Sequence, residues 1–170
     1  MKQSLNELTR RIVDNDLGIK VYLKSYDAPA FLLKTIDRYE AQYHPEVDSI
    51  VMNEAWHRSE VDFFSTLIHE LSHATGHASR LNRAGISQRF GMAWLDFHVE
   101  ELIAQRSCQL VMQSLGLNAC PIEYKCSTNY MAKQLFQIET LSPSYEINAD
   151  DIETQANDSA QFILKKVLKF

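Results

Sequence analysis

The sequence predicts an α+β fold, with a small antiparallel sheet packed on a long helix and further helices completing the core. Two patterns predict it. In the first third of the chain, short apolar segments alternate with polar residues between turn signals, whereas from Ser59 onward apolar residues recur every three or four positions. The composition agrees: 45% hydrophobic and 23% charged residues, with five glycines and four prolines, is the balance of a folded globule. At 170 residues the chain is expected to form one domain, 1–170, with residues 1–17 as an N-terminal helix.

Leu5, Leu8, Ile12 and Val13 share one helical face, and Gly18 ends the turn that follows. Ile19, Val21 and Leu23 read as a strand, Asp48 to Asn53 as a second, and Arg38 to His44 as a third. The stretch from His44 to Asp48, with Pro45 and two acids, reads as a hairpin turn. Ser59 followed by Asp62 resembles a capping box and opens a helix through Leu71 that stops at Gly76. Further helices are expected over about 94–115, closed by Gly116, and over 130–141 and 152–168.

A net charge of −5 disfavours general nucleic-acid binding, and the 22 acids are interspersed with 17 bases rather than massed as in a nucleic-acid mimic. Cys108, Cys120 and Cys126 are an odd number without a pairing scheme, and the N-terminus resembles no export signal, so a cytoplasmic location is expected. No apolar run approaches the ~20 residues a membrane-spanning helix needs.

The chemistry concentrates at His69-Glu-Leu-Ser-His73, an H-E-x-x-H motif. Histidines four apart on a helix lie one turn above one another, so both imidazoles reach one ion, and the spacing suits tetrahedral Zn²⁺. A zinc ion lowers the pKa of water to about 7 and polarises a carbonyl, with Glu70 positioned as general base. A catalytic zinc takes three protein ligands. Glu101 is the choice for the third, because it shares a helical stripe with Ala104, Cys108 and Leu115, where a carboxylate needs a cationic partner. Glu100, at the edge of that stripe, is the alternative. His77 continues the four-residue spacing, but a helix ending at Gly76 turns it away. The longer H-E-x-x-H-x-x-G-x-x-H pattern fails, since position 79 is Ser79. Tyr43, His57, His98 and Tyr130 are unranked candidates for supporting the metal or stabilising an oxyanion.

The string from His69 to Arg83, with Tyr43 and Asp48-Ser-Ile upstream and Glu100-Glu-Leu-Ile-Ala104 downstream, resembles the zincin-like metallopeptidase domain of ArdC-type antirestriction and polyvalent proteins. The resemblance runs from about residue 18 to the C-terminus. It implies a gluzincin-like metal site at His69, His73 and Glu101, Glu70 as catalytic acid/base, and a role on mobile elements such as phages or plasmids in countering host defence. Two departures stand out. The family usually carries an N-terminal single-stranded-DNA-binding domain, whereas the sequence in hand begins only about 18 residues before the peptidase-like region, so DNA binding is not expected to carry over; and position 105, often a glutamate there, is Gln105.

These readings converge on a zinc-dependent metallopeptidase acting on a protein or peptide, with Asp48 to Asn53 expected as the edge strand that receives an extended substrate. The alternatives are a non-catalytic zinc-bound protein that blocks a defence system by contact, and a single-stranded-DNA binder.

Overall fold

The computed structural model describes residues 4–24, 27–36, 40–57, 59–87, 94–117 and 128–169, without the side chains of 34–36, 54, 87, 94 and 128–130. Cys120 and Cys126 lie outside the described residues, as does the Tyr130 side chain.

Helix α1 (Leu5–Val13) is capped by Ser4, whose Oγ accepts from the Glu7 N–H, and it buries Leu8 and Ile12. Gly18, at φ +79°, makes the left-handed turn into β1 (Lys20–Tyr22). A short helix, α2 (Ala30–Ile36), then precedes β2 (Ala41–His44) and β3 (Ser49–Met52). No helix is expected at α2 from the sequence pattern. Two turns are too short for a 3.6-residue period to declare itself, and the signal left is Pro29 immediately before the first helical residue.

The hairpin of β2 and β3 is antiparallel, turning through residues 45–48 with Asp48 in the left-handed region at φ 48°. Strand β1 pairs with β3 in parallel, however, so the sheet is mixed, in the order β1-β3-β2. Between β1 and β3 the chain passes through α2 and the oppositely directed β2, so β3 returns in the direction of β1. This order also corrects the expected edge. β3 is the central strand, with both neighbours bonded, and Ile50, Val51 and Met52 are fully buried. The antiparallel edge is β2.

Helix α3 (Glu60–Thr75) starts as expected, with Ser59 Oγ accepting from the Asp62 N–H at 3.1 Å. It is buried on all sides from Phe64 to Thr75, between the hairpin, α1 and the helices behind it. A helix enclosed in this way exposes little of its polar groups to water, so each histidine and carboxylate on it needs a partner within the protein. The partners come from β2, from Arg83 on the loop after α3, from α5 (Trp94–Ser114) and from α7 (Ala149–Phe162), while α4 (Ala84–Ser87) and α6 (Thr128–Leu141) pack on α5. Helix α7 continues as a π turn, Ile163–Val167, whose Ile163, Leu164 and Val167 join the same core cluster as Leu8 of α1 and Leu67 of α3. Helices α3 and α5 run in opposite directions: Cys108 Sγ meets the Ser65 carbonyl at 3.3 Å, and Glu101 meets His69 and His73. No helix among the described residues is long and apolar enough to cross a membrane.

Candidate metal centre

The four-residue spacing on α3 places the His69 and His73 rings edge to face, with their Nε2 atoms 3.2 Å apart. From α5, Glu101 Oε2 lies 3.4 Å from His69 Nε2, and Glu101 Oε1 lies 3.4 Å from His73 Nε2. Two ligands bound tetrahedrally at zinc's usual ~2.0–2.1 Å lie about 3.3 Å from one another. Each Nε2 has the other Nε2 and one Glu101 oxygen near that spacing, the two histidines facing different oxygens of the carboxylate, and one donor atom from each residue lies within 4.8 Å of the others. The donor set of two neutral nitrogens and one carboxylate leaves a fourth position for water or substrate. Among the described residues, His69, His73 and Glu101 are the group that could hold a metal ion, and all three are buried.

Glu100 points elsewhere. Its Oε1 accepts from His73 Nδ1 at 3.2 Å, and the Arg83 guanidinium grips it with Nη2 to Oε1 at 2.6 Å and Nε to Oε2 at 3.0 Å. A carboxylate already held by arginine only accepts, so Nδ1 of His73 keeps its proton, and Nε2, which faces His69 and Glu101, is the nitrogen whose lone pair becomes available when the ring is neutral. The two adjacent glutamates thus divide the work around His73. Glu101 approaches Nε2, the nitrogen turned toward His69, and Glu100 approaches Nδ1.

The electrostatics follow from this crowding. Burial opposes a charge on His73, but Glu101 and Glu100 outweigh it and push its pKa up to about 9 in the metal-free protein. Burial raises Glu101 and Glu100, yet His73 and His69 bring the first well below the usual carboxylate range, and Arg83 with His73 lowers the second. Arg83 is the cation for Glu100, and Glu101 still needs one: a proton on His73, or a metal.

Glu70 is 2% exposed, and its Oε2 accepts from the Tyr43 backbone N–H at 2.8 Å. That N–H points off the side of β2 away from β3, so the carboxylate beside the two histidines is tied to the sheet's antiparallel edge. Gln105, one turn beyond Glu101 on α5, is fully buried, and neither polar atom of its amide has a hydrogen-bond partner.

The remaining sequence candidates are placed outside this group. Tyr43 meets Glu70 through its backbone, whereas its hydroxyl donates to Asp48 Oδ1 at 2.8 Å and accepts from Arg80, which removes it as an oxyanion donor. His77 stands beyond the helix end, with Nδ1 2.8 Å from Ser79 Oγ. His57 packs edge-on to Phe63 with Nδ1 3.9 Å from Asp62, and His98 pairs with Gln134 of α6. Sequence reasoning missed Arg83. Its signal was present in the long string beyond Gly76, where a second arginine three residues after Arg80 has no helical or strand period to explain it.

Residues 30–140 match a family of zincin-like metallopeptidases. The chain belongs to that family. The matched span contains His69, Glu70, His73, Arg83, Glu100 and Glu101. A similar curated protein is the DNA primase TraC of Escherichia coli, 34% identical over 96 residues, which are 56% of this chain but 6% of TraC. Among solved structures, the fold is similar to the antirestriction protein ArdC from the R388 plasmid in two states. The Mn(II)-bound structure gives a TM-score of 0.66 at 23% identity, covering 99% of this chain and 55% of ArdC. The metal-free structure gives 0.59 at 24% identity, covering 99% of this chain and 53% of ArdC. At that identity the likeness establishes the fold, and the chain spans about half the length of ArdC.

Proposed function

We propose that this zincin-like chain is a metal-dependent peptidase in which His69, His73 and Glu101 hold one divalent ion and Glu70 is the general base. The observation that carries the reading is the buried cluster of two Nε2 atoms 3.2 Å apart, each 3.4 Å from one oxygen of the Glu101 carboxylate, with Glu70, the residue after His69, oriented by the β2 edge. When bound, the ion polarises the carbonyl under attack and acidifies water. The residues of the chain do the rest. An extended peptide runs along β2, the antiparallel edge, pairing with backbone groups other than the Tyr43 N–H that Glu70 takes, and this lays a scissile carbonyl beside the histidines. Glu70, held through Oε2 by Tyr43, takes the proton of the attacking water and delivers it to the leaving amine.

Zinc is the ion this donor set favours, and manganese, present in the ArdC structure, is the competing occupant. The substrate class is a protein or peptide. With a net charge of −5, the chain by itself is not expected to hold nucleic acid at physiological salt. The likeness to ArdC supports an antirestriction role in a bacterial cytoplasm, either through cleavage of a defence protein or, without cleavage, by contact.

The separating experiment is Glu70→Gln, which keeps the ligands and removes the base. Metal content is expected to stay at the wild-type level, while cleavage products found by comparing proteomes exposed to the two proteins disappear. A variant that cleaves and protects as well as wild type would sink the peptidase reading.

A further inference from the structure

The Arg83 guanidinium makes four hydrogen bonds in a fully enclosed place. Two go to Glu100, one runs from Nη2 to the Ser72 carbonyl at 2.7 Å, and one runs from Nη1 to Thr75 Oγ1 at 2.7 Å. Thr75 Oγ1 lies 2.8 Å from Ser159 Oγ of α7, and Ser107 of α5 donates to that same Ser159 oxygen at 2.8 Å. Arg83 is therefore fixed from α3, α5 and α7 together, although it is itself carried on the loop after α3.

Two glycines make the space for it. A Cβ on Gly76 would stand 2.9 Å from Cζ and Nη2 of Arg83 and also from Cγ1 of Ile86, and a Cβ on Gly85 would stand 2.9 Å from the Glu100 Cβ and 3.3 Å from its Oε2. Gly76 has φ −76°, a conformation open to any residue, so what it supplies is room for the guanidinium and not a left-handed turn.

We infer that Arg83 is a positioning residue for the metal site: it acts through Glu100 on His73, locking the Nδ1–H and so aiming Nε2 at the ion. The inference rests on the metal-site reading above. Arg83 satisfies both Glu100 oxygens, which keeps that carboxylate on the far side of the imidazole and leaves Glu101 as the acid facing the Nε2 atoms. Planar, bidentate grip of this kind is particular to arginine, since a lysine ammonium offers a point charge without the fork.

The test measures zinc affinity by competition with a chromophoric chelator, using metal-stripped full-length protein, with melting of each metal-free variant as the check of folding. Removing an acceptor behind a histidine ligand weakens metal binding about 10- to 100-fold, and this is expected for Glu100→Ala. Arg83→Met is expected to weaken binding about tenfold. The double variant should bind no more weakly than Glu100→Ala alone, because both changes break one chain of contacts. Gly76→Ala keeps every ligand and every charge yet pushes on the guanidinium and on Ile86, so it should weaken binding in the same direction and carries the test if Arg83→Met does not fold. Wild-type affinity in folded Arg83→Met or Gly76→Ala, tighter binding in either, or additive losses in the double variant overturns the inference. His69→Ala and Glu101→Ala distinguish the two levels. If they retain wild-type affinity, the site reading fails and the inference with it. If they lose zinc while the Arg83 and Gly76 variants do not, the site stands and only the positioning role fails.

Discussion

Arg80 and Arg83 stand three residues apart on one loop, and both hold a carboxylate, but they secure different parts of the molecule. Arg80 reaches the hairpin: Nη1 and Nη2 meet Asp48 at 2.9 and 2.5 Å, its Nε meets the Ala74 carbonyl, and Asp48 also takes the Tyr43 hydroxyl. Arg83 reaches the back of His73 through Glu100. The first arginine fixes the sheet to the end of α3, and the second fixes a histidine on α3. A buried ion pair is thus a matter of architecture in one case and of site geometry in the other, and only its endpoint tells them apart.

The comparison breaks most sharply under substitution. Arg80→Met leaves Asp48 without its cation beside the buried Tyr43 hydroxyl, and loss of one partner of a largely buried pair costs roughly 3 kcal/mol, at the low end of the usual range because Asp48 is partly exposed. Denaturant unfolding should show that loss, while zinc affinity per folded molecule stays near wild type. An Arg80→Met protein of normal stability but weakened zinc binding would reverse the roles assigned to the two arginines.

A smaller effect separates the regions by pH. In the metal-free protein the His73 pKa is raised from 6.5 to about 9. Its contribution to stability is therefore complete below the unfolded value near 6.5 and is lost as pH rises through about 9. Around Asp48, burial raises the carboxyl but Arg80 and Tyr43 outweigh it and lower its pKa, so that contribution is present above the ordinary aspartate range and lost as pH falls. Melting of chelator-treated protein should decline by several degrees between pH 6.5 and 9.5, and His73→Gln should flatten that decline. Zinc binding over the same window should release a proton, measurable as a buffer-dependent heat.

Much of the site was legible in the sequence because it is local. The Ser59 cap, the histidine spacing and the α5 stripe that carries Glu101 all follow from helical periodicity. The division between Glu100 and Glu101 was not, because it depends on Arg83, 17 positions away and on a loop without a period of its own. The strand order was likewise hidden in pairing between distant segments, and the expectation that β3 forms the edge gave way to a central β3. One local signal pointed the right way: the unbroken apolar run Ile50-Val51-Met52 suits a strand covered on both faces better than an edge. Gly76 was read correctly as a helix end for the wrong physical reason, since its φ is ordinary and what the position requires is space for Arg83 and Ile86.

The central claim is that two histidines of α3 and one glutamate of α5 share a single metal ion. Elemental analysis of protein purified without chelator tests it most directly, comparing wild type with Glu101→Ala and Glu100→Ala. The account predicts one divalent ion per wild-type chain, its loss from Glu101→Ala, and a weakened but detectable ion in Glu100→Ala. Full metal content in Glu101→Ala, or loss from Glu100→Ala alone, would contradict it.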